Sequence, residues 1–179
     1  MTSGIVMPCC KSFRKMKTKR ITWLDEYLAK ALDIAWQDGH ERATELLQNL
    51  LCEEPGYGRL HNTLAIIYYK YAEDFRLAEL HFRWAIHFDP ELSEPYVLLA
   101  EVLKVHERHV ETIEICKRGL RVKRTNKSLL LETEGNAWEL QGKYRRAIRS
   151  YKKALDHSTE LWSCRVLEEN IRRCKRKQK

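Results

Sequence analysis

This sequence contains an internal repeat with a period of 34 or 35 residues, which leaves few possible folds. One unit carries Ala78, Phe82, Ala85 and Pro90, separated by four, three and five residues, and this spacing occurs in four successive units. The units are offset by 35, 34 and 35 residues. Periods of this length are typical of solenoids, in which each unit packs only against its neighbours. The matching positions of the other three units are Ala43, Leu47, Leu50, Pro55, Thr112, Cys116, Gly119, Arg124, Ala147, Tyr151, Ala154 and Thr159.

Each unit is predicted to be a pair of antiparallel helices. Its apolar and small positions lie three or four residues apart, which is helical rather than strand periodicity. A further pair of such positions lies twelve and nine residues upstream in every unit. Glycine suits the short turn between the helices, because a helix that ends tightly often needs a left-handed residue. The turns are expected near Gly39, Asp74, His106 and Gly142.

Three hydroxyl residues are expected to cap the first helices of their units. Thr22, Ser93 and Ser128 lie where a side-chain oxygen would accept hydrogen bonds from the first free amides of the helix. Asp25 follows Thr22 by three residues and would complete a capping box there.

Two stretches of the chain resemble a tetratricopeptide repeat. They are 135–154, with its Gly-Asn-Ala-Trp start and small residues at helix crossings, and 69–90. The second and fourth units match the family pattern well, whereas the first and third are degenerate. The resemblance implies an all-α, right-handed α-solenoid of about four helix-turn-helix units, expected at about 24–58, 59–92, 93–127 and 128–161.

The C-terminal segment, residues 162–179, is predicted to be an amphipathic capping helix with a basic tail. A repeat stack needs such a helix, with a solvated outer face, to cover its last apolar layer. The expected apolar stripe consists of Leu161, Cys164, Leu167, Ile171 and Cys174.

Basic residues are concentrated at the two ends of the chain. Residues 1–22 carry +6 and are expected to be flexible, and residues 162–179 carry +5. Because the whole chain carries +8, the repeats between them carry −3. Such ends can hold phosphates of RNA or of anionic lipids, or they can simply keep a small protein soluble. The candidate phosphate- or lipid-binding residues are Lys11, Arg14, Lys15, Lys17, Lys19, Arg20, Arg172, Arg173, Lys175, Arg176 and Lys177.

The sequence favours a cytoplasmic location, with peripheral membrane association as an open alternative. No basic segment precedes the short apolar stretch at the N-terminus, and no apolar run approaches the ~20 residues of a membrane span. Cys9 and Cys10 stand beside the basic run, an arrangement that resembles an S-acylation anchor. They can equally be two unmodified thiols.

No enzymatic signature is found. The chain contains no phosphate loop, nucleophile elbow or dinucleotide fingerprint. His106 and His109 are three residues apart, one fewer than the zinc-protease motif requires, and no C-x-x-C pair is present. The sequence therefore predicts a non-enzymatic protein without catalytic residues, cofactor or metal.

The resemblance to tetratricopeptide repeats also implies where a partner would bind. In that family the first helices of the units line a concave groove that takes extended or helical peptides. The carboxylate clamp of the chaperone-binding members is absent, because Glu132 stands where a lysine is needed. Five acids and two lysines among aliphatic residues favour a basic or amphipathic segment. The expected groove residues are Asp25, Leu28, Leu32, Leu60, Thr63, Ile67, Lys70, Glu94, Val97, Glu101, Lys104, Leu129, Glu132, Asn136 and Glu139.

Two classes of function remain from the sequence. The first is a protein-binding adaptor or scaffold that holds a partner in the groove. The alternative is a protein associated with RNA, a ribosome or an anionic membrane and held there by its basic ends.

Overall fold

The computed structural model describes residues 22–37 and 39–178. Nine α-helices follow one another in that part of the chain, and it contains no strand. This confirms the all-α fold class. The helices are α1 (Thr22–Gln37), α2 (His40–Glu53), α3 (Gly58–Lys70), α4 (Phe75–Phe88), α5 (Glu94–Val105), α6 (His109–Gly119), α7 (Lys127–Leu140), α8 (Tyr144–His157) and α9 (Leu161–Lys177).

The helices pack as successive pairs, α1 with α2, α3 with α4, α5 with α6 and α7 with α8. The second helix of each pair also packs against the first helix of the next, and α9 packs against α8 in the same way. This arrangement is the stacked-unit packing of a solenoid. The last helix α9 therefore takes the place that the first helix of a further unit would occupy.

The four turns lie where they were expected, but only two of them use glycine. Gly39 and Gly142 have positive φ angles of 101° and 70°. In the other two turns Glu73 and Glu107 adopt the left-handed conformation, with φ angles of 52° and 56°. These two turns therefore keep the helix–turn–helix path at some conformational cost, because side chains with a Cβ disfavour this region.

Small residues allow the helices to approach closely. Ala43, Ala78 and Ala147 are fully buried. A Cβ atom added at Gly135 would come within 2.7 Å of the Tyr151 ring, so α7 and α8 cross with no room for a larger residue. The spacing of small residues in the sequence thus correctly predicts where the helices pack closely.

The apolar core consists of one large and one smaller cluster. The larger runs from α1 to the start of α7, and the smaller joins α7, α8 and α9. Helix α9 contributes Leu167, Ile171 and Cys174 to the smaller cluster, while Cys164 is partly exposed. The placement of Leu161 in the same apolar stripe is wrong, because it is the first residue of the helix and is 69% exposed.

The predicted helix caps are only partly correct. Ser93 precedes α5 but makes no capping hydrogen bond. Helix α7 begins earlier than expected, and Asn126 caps it by accepting a 3.1 Å hydrogen bond from the amide of Leu129. Ser128 instead donates to the carbonyl of Ala154 at 3.1 Å. The side chain of Thr22 lies outside the described part of the chain, so its cap remains a prediction.

Candidate functional site

Polar bonds join the first helices of neighbouring units across one face of the solenoid. Asp25 on α1 accepts hydrogen bonds from Arg59 on α3 at 2.8 and 2.9 Å. Asn62 on α3 donates to Glu94 on α5 at 2.7 Å. These bonds fix the spacing between α1, α3 and α5, and the face that they span is called the groove below.

An open cleft of about 300 Å³ lies in the N-terminal half of the groove. Its apolar side is formed by Leu28, Ala29 and Leu32 of α1, with Leu92 before α5. Its polar side carries the bonded groups of the preceding paragraph together with Thr63. Of the residues predicted from the sequence, the structure brings together Asp25, Leu28, Leu32, Thr63 and Glu94 at this cleft.

Two predicted groove residues on α3 are inaccessible to a partner. Leu60 and Ile67 are fully buried. The physical reason is that α3 packs against α1, α2 and α4 together, so every residue from 60 to 68 is buried. Leu60 and Ile67 are therefore core residues, and their assignment to the groove is wrong. Lys70, at the end of the same helix, is exposed.

Glu139 is also wrongly assigned to the groove. It is only 6% exposed, and its carboxylate accepts hydrogen bonds from Arg173 at 2.7 and 2.8 Å and from Lys177 at 3.2 Å. The hydroxyl of Tyr151 donates to it at 3.1 Å. The Arg173 guanidinium is the main cause that lowers the pKa of Glu139 to about 2, against the opposing effect of burial. Glu139 therefore anchors α9 to the fourth unit and does not face a partner.

The C-terminal half of the groove is less acidic than the sequence suggested. Glu101 accepts a long 3.4 Å hydrogen bond from Tyr69. Burial raises the pKa of Glu132, and Lys104 opposes this effect. With Glu139 bound to α9, and with Arg59 added at the cleft, which sequence reasoning missed, the groove as a whole is less acidic than expected. The remaining predicted residues of this half, all partly exposed, are Val97, Leu129 and Asn136.

Of the two basic ends, only the C-terminal one lies in the described part of the chain. The six N-terminal cations, and Cys9 and Cys10 with them, lie outside the described residues. On α9, Arg173 and Lys177 bind Glu139, and Arg172 and Arg176 form exposed ion pairs with Glu169 at 3.5 and 3.2 Å. Lys175 is exposed. Two of the five predicted phosphate-binding residues at this end, Arg173 and Lys177, therefore stabilise the fold.

Charge within the repeats is strongly polarised, which the sum of −3 concealed. Residues 23–116 contain eight Lys or Arg and eighteen Asp or Glu, so they carry −10. Residues 117–153 contain twelve Lys or Arg and three Glu, so they carry +9. Counting charge unit by unit in the sequence would have found this. The cleft thus belongs to an acidic half of the solenoid.

A buried histidine pair occupies the second unit. Nδ1 of His61 and Nδ1 of His81 are 3.1 Å apart, and Trp84 and Phe88 stack nearby. Burial lowers the pKa of both rings, and that of His81 falls to about 4 because the neighbouring His61 adds to the effect. Both rings are therefore neutral at pH 7, with one proton available for the hydrogen bond between them.

No described helix combines the length and the apolar composition needed to cross a membrane. This observation concerns residues 22–37 and 39–178 alone.

Comparison with known proteins supports the fold. No family model and no curated protein matches this sequence. Among solved structures, yeast Tom70 superposes with a TM-score of 0.77 at 15% identity, over 87% of this chain and 33% of Tom70. PilF of Pseudomonas aeruginosa gives a TM-score of 0.72 at 18% identity, over 86% of this chain and 68% of that chain.

A third similar structure is the TPR domain of Arabidopsis OM64, with a TM-score of 0.58 at 16% identity, over 65% of this chain and 94% of that domain. Identities this low carry information about fold alone. Together with the helix pairs described above, the three structures confirm the fold, an α-solenoid of stacked helix pairs similar to that of the OM64 TPR domain.

Proposed function

We propose that this chain is a non-enzymatic adaptor that holds a segment of another protein in the cleft between α1, α3 and α5. The observation that carries the proposal is the cleft itself, an open space of about 300 Å³ with an aliphatic wall and a polar rim. Apolar surface that pairs with a few fixed polar groups is the usual composition of a peptide-binding groove.

The shape and chemistry of the cleft indicate what kind of segment it takes. Exposed Ala29 and half-buried Leu32 offer apolar contact for a side chain, and Leu28, only 7% exposed, lies behind them. Glu94 is exposed at the rim, and the acidic half around it, at −10, attracts cations over a distance. The expected segment is therefore short, with a central apolar residue and flanking Lys or Arg.

Asn62 supplies a further argument for a polypeptide ligand. Its amide nitrogen donates to Glu94, but its Oδ1 atom is buried and has no partner within the described part of the chain. A buried carbonyl oxygen without a donor costs about 1–3 kcal/mol. A donor on a bound segment satisfies this oxygen only if the Asn62 side chain rotates to expose it, which also shifts its bond to Glu94.

The alternative function, attachment to RNA or to an anionic membrane through the basic ends, stays a prediction, as does the cytoplasmic location. The C-terminal end offers fewer available cations than its sequence suggested, since Arg173 and Lys177 are bound to Glu139. No comparable observation bears on the N-terminal end.

A peptide-display selection tests the proposal without knowledge of the natural partner. Random twelve-residue peptides would be selected on the immobilised full chain, and the enriched peptides would be titrated against two variants. Ala29→Arg places a long cation in the cleft from an exposed position, so the fold should not change. Val110→Arg adds the same charge at a position that is 74% exposed on α6, away from the cleft.

The expected result is enrichment of peptides with an apolar residue flanked by Lys or Arg. Their affinity should fall by about tenfold or more in Ala29→Arg, which corresponds to ~1.4 kcal/mol, and should be unchanged in Val110→Arg. Equal loss in both variants, or no loss in Ala29→Arg, would place binding outside the cleft and overturn the proposal.

A further inference from the structure

A second cavity lies among the last three helices of the repeats. It has a volume of about 390 Å³, and α6, α7 and α8 each contribute to its wall. Four cations line it, namely Lys117 from α6 and Arg146, Arg149 and Lys153 from α8. The three α8 cations share one face of that helix, because they are separated by three and four residues. This cavity is called the basic pocket below.

Trp138 organises the cations on one side of the basic pocket. The guanidinium carbon of Arg146 lies 4.7 Å from the centroid of the indole ring. The ammonium groups of Lys143 and Lys117 lie 5.1 and 5.8 Å from it. An aromatic face stabilises cations at such distances, so the ring holds three positive charges together that would otherwise repel one another.

The cations of the basic pocket are not held in ion pairs by the part of the chain that the structure describes. Within residues 22–37 and 39–178, none of the four forms an ion pair with a carboxylate. Arg83 and Arg108, in contrast, are paired with Glu79 and Glu111. The pocket therefore has an excess of positive charge that no ion pair in the described residues neutralises.

One carboxylate lies at the pocket wall, and the fold already uses it. Glu134 is 8% exposed and accepts a 3.0 Å hydrogen bond from the hydroxyl of Ser150. The four cations outnumber it by three. A ligand would thus meet the exposed ends of the cations at the rim before it reached the buried carboxylate.

We propose that the basic pocket binds a small polyanion with several phosphate groups, such as an inositol polyphosphate or a linear polyphosphate. Guanidinium groups bind phosphate oxygens in pairs, and two arginines one helical turn apart suit neighbouring phosphates. The volume exceeds that of a single phosphate group and falls within the range of small-ligand pockets, about 300–1,000 Å³. The ligand is either free in solution or the headgroup of a lipid.

The same geometry disfavours a nucleic acid as the ligand. Single-stranded nucleic acids gain much of their binding energy from stacking bases on exposed aromatic side chains. The one aromatic residue of the basic pocket, Trp138, already faces three cations. Recognition there therefore rests on phosphate groups, and a compact ligand places several of them in a cavity of this size.

Helix α8 offers a closely matched pair of variants for the test. Arg146→Gln with Lys153→Gln removes two cations of the basic pocket. Arg145→Gln with Lys152→Gln makes the same two replacements one residue earlier, at exposed positions that do not line the pocket. The two double variants have identical composition and net charge, and circular dichroism would confirm that both are folded.

Calorimetric titration of the full chain with inositol hexakisphosphate, tripolyphosphate and inorganic phosphate measures the effect. We expect the two polyanions to bind and inorganic phosphate to bind far more weakly. The pocket variant should lose about tenfold or more in affinity, and the control variant about twofold at most, since long-range charge is screened over ~8 Å at physiological salt. Equal losses in the two variants, or no binding by either polyanion, would overturn the proposal.

Two further titrations identify the source of the ligand. Binding to phosphatidylcholine vesicles that contain a phosphoinositide, reversed by soluble inositol polyphosphate, would support a lipid headgroup. Binding of the soluble polyanions without vesicle binding would support a free ligand. A structured RNA that binds more tightly than either polyanion, and equally in both double variants, would contradict the pocket and indicate a diffuse basic surface instead.

Discussion

The replacement Glu139→Gln should destabilise the protein substantially, although the side chain was expected from the sequence to face a partner. The carboxylate is buried under α9 and accepts hydrogen bonds from Arg173, Lys177 and Tyr151. A glutamine of the same shape presents an amide NH₂ group to donors on one side and carries no charge. The contacts between α7 and α9 should therefore weaken without a cavity being formed.

The pKa of Glu139 sets the size of the effect. It is lowered from the ordinary value of 4.5 to about 2, and by linkage this difference corresponds to about 3 kcal/mol of stability at neutral pH. Arg173 and Lys177 are 38% and 49% exposed, so solvent screening reduces the contribution. We expect a loss of about 2–3 kcal/mol, or a melting temperature lower by about 4–12 °C.

The stabilisation by Glu139 depends on pH. Because the folded pKa lies below the unfolded one, the stabilisation is fully present above pH 4.5 and is lost as the pH falls towards 2. Glu139→Gln should lack this part of the acid titration. Thermal unfolding monitored by circular dichroism gives the stability, and amide hydrogen exchange over residues 161–177 shows whether α9 detaches first.

Glu132→Gln is the matched control for this experiment. It lies on the same helix and is partly buried, but burial raises its pKa, so neutralising it should be neutral or slightly stabilising. If Glu139→Gln kept wild-type stability while abolishing partner binding, the anchoring role would be wrong and the original assignment to the groove would be correct.

Two further predictions concern the buried histidine pair and the crossing of α7 and α8. The free energy of unfolding should fall by up to about 3 kcal/mol as the pH falls from 6.5 to 4. The pKa of His81 is lowered to about 4 in the folded protein, so over this range His81 is protonated in the unfolded chain but not in the folded one. Urea unfolding at several pH values tests this, and the same pH slope in His81→Gln and wild type would refute it. Gly135→Ala should destabilise the chain although alanine has the better helix propensity, because the added Cβ would lie 2.7 Å from the ring of Tyr151. Unchanged thermal stability would show that α7 and α8 can move apart at no cost.

The repeat period allowed the fold to be predicted, because a spacing of 34 or 35 residues is set by the geometry of a helix pair. The turns at Gly39 and Gly142 followed from the need for a left-handed residue. The turns at Glu73 and Glu107 could be located only from their neighbours, since nothing in these residues signals a positive φ. The glycines thus predicted two of the turns, and the repeat period predicted the other two.

The assignment of groove residues failed where a residue had a neighbour on more than one side. Periodicity gives the direction of a side chain on its own helix, but it does not say how many other helices surround that face. Leu60 and Ile67 became core residues because α3 has three packing partners. The error at Glu139 arose because α9 continues the stack and its Arg173 and Lys177 bind the carboxylate.

A signal for the last error is present in the sequence. Asp25 and Arg59 bind each other across 34 residues, and Glu139 and Arg173 are separated by the same interval. Opposite charges one period apart on first helices are thus an indication of bonds between units. The basic pocket escaped notice for a different reason, since net charge was summed over all four units.

The proposed function requires that a partner protein occupies the cleft between α1, α3 and α5. Site-specific photocross-linking tests it most directly, with a benzophenone amino acid placed at Ala29 in the cleft or at Val110 on α6, in the full chain exposed to cell extract. We predict a discrete cross-linked protein from position 29 that a selected peptide prevents from forming, and none from position 110. The same product from both positions, or a product from position 110 alone, would contradict the claim.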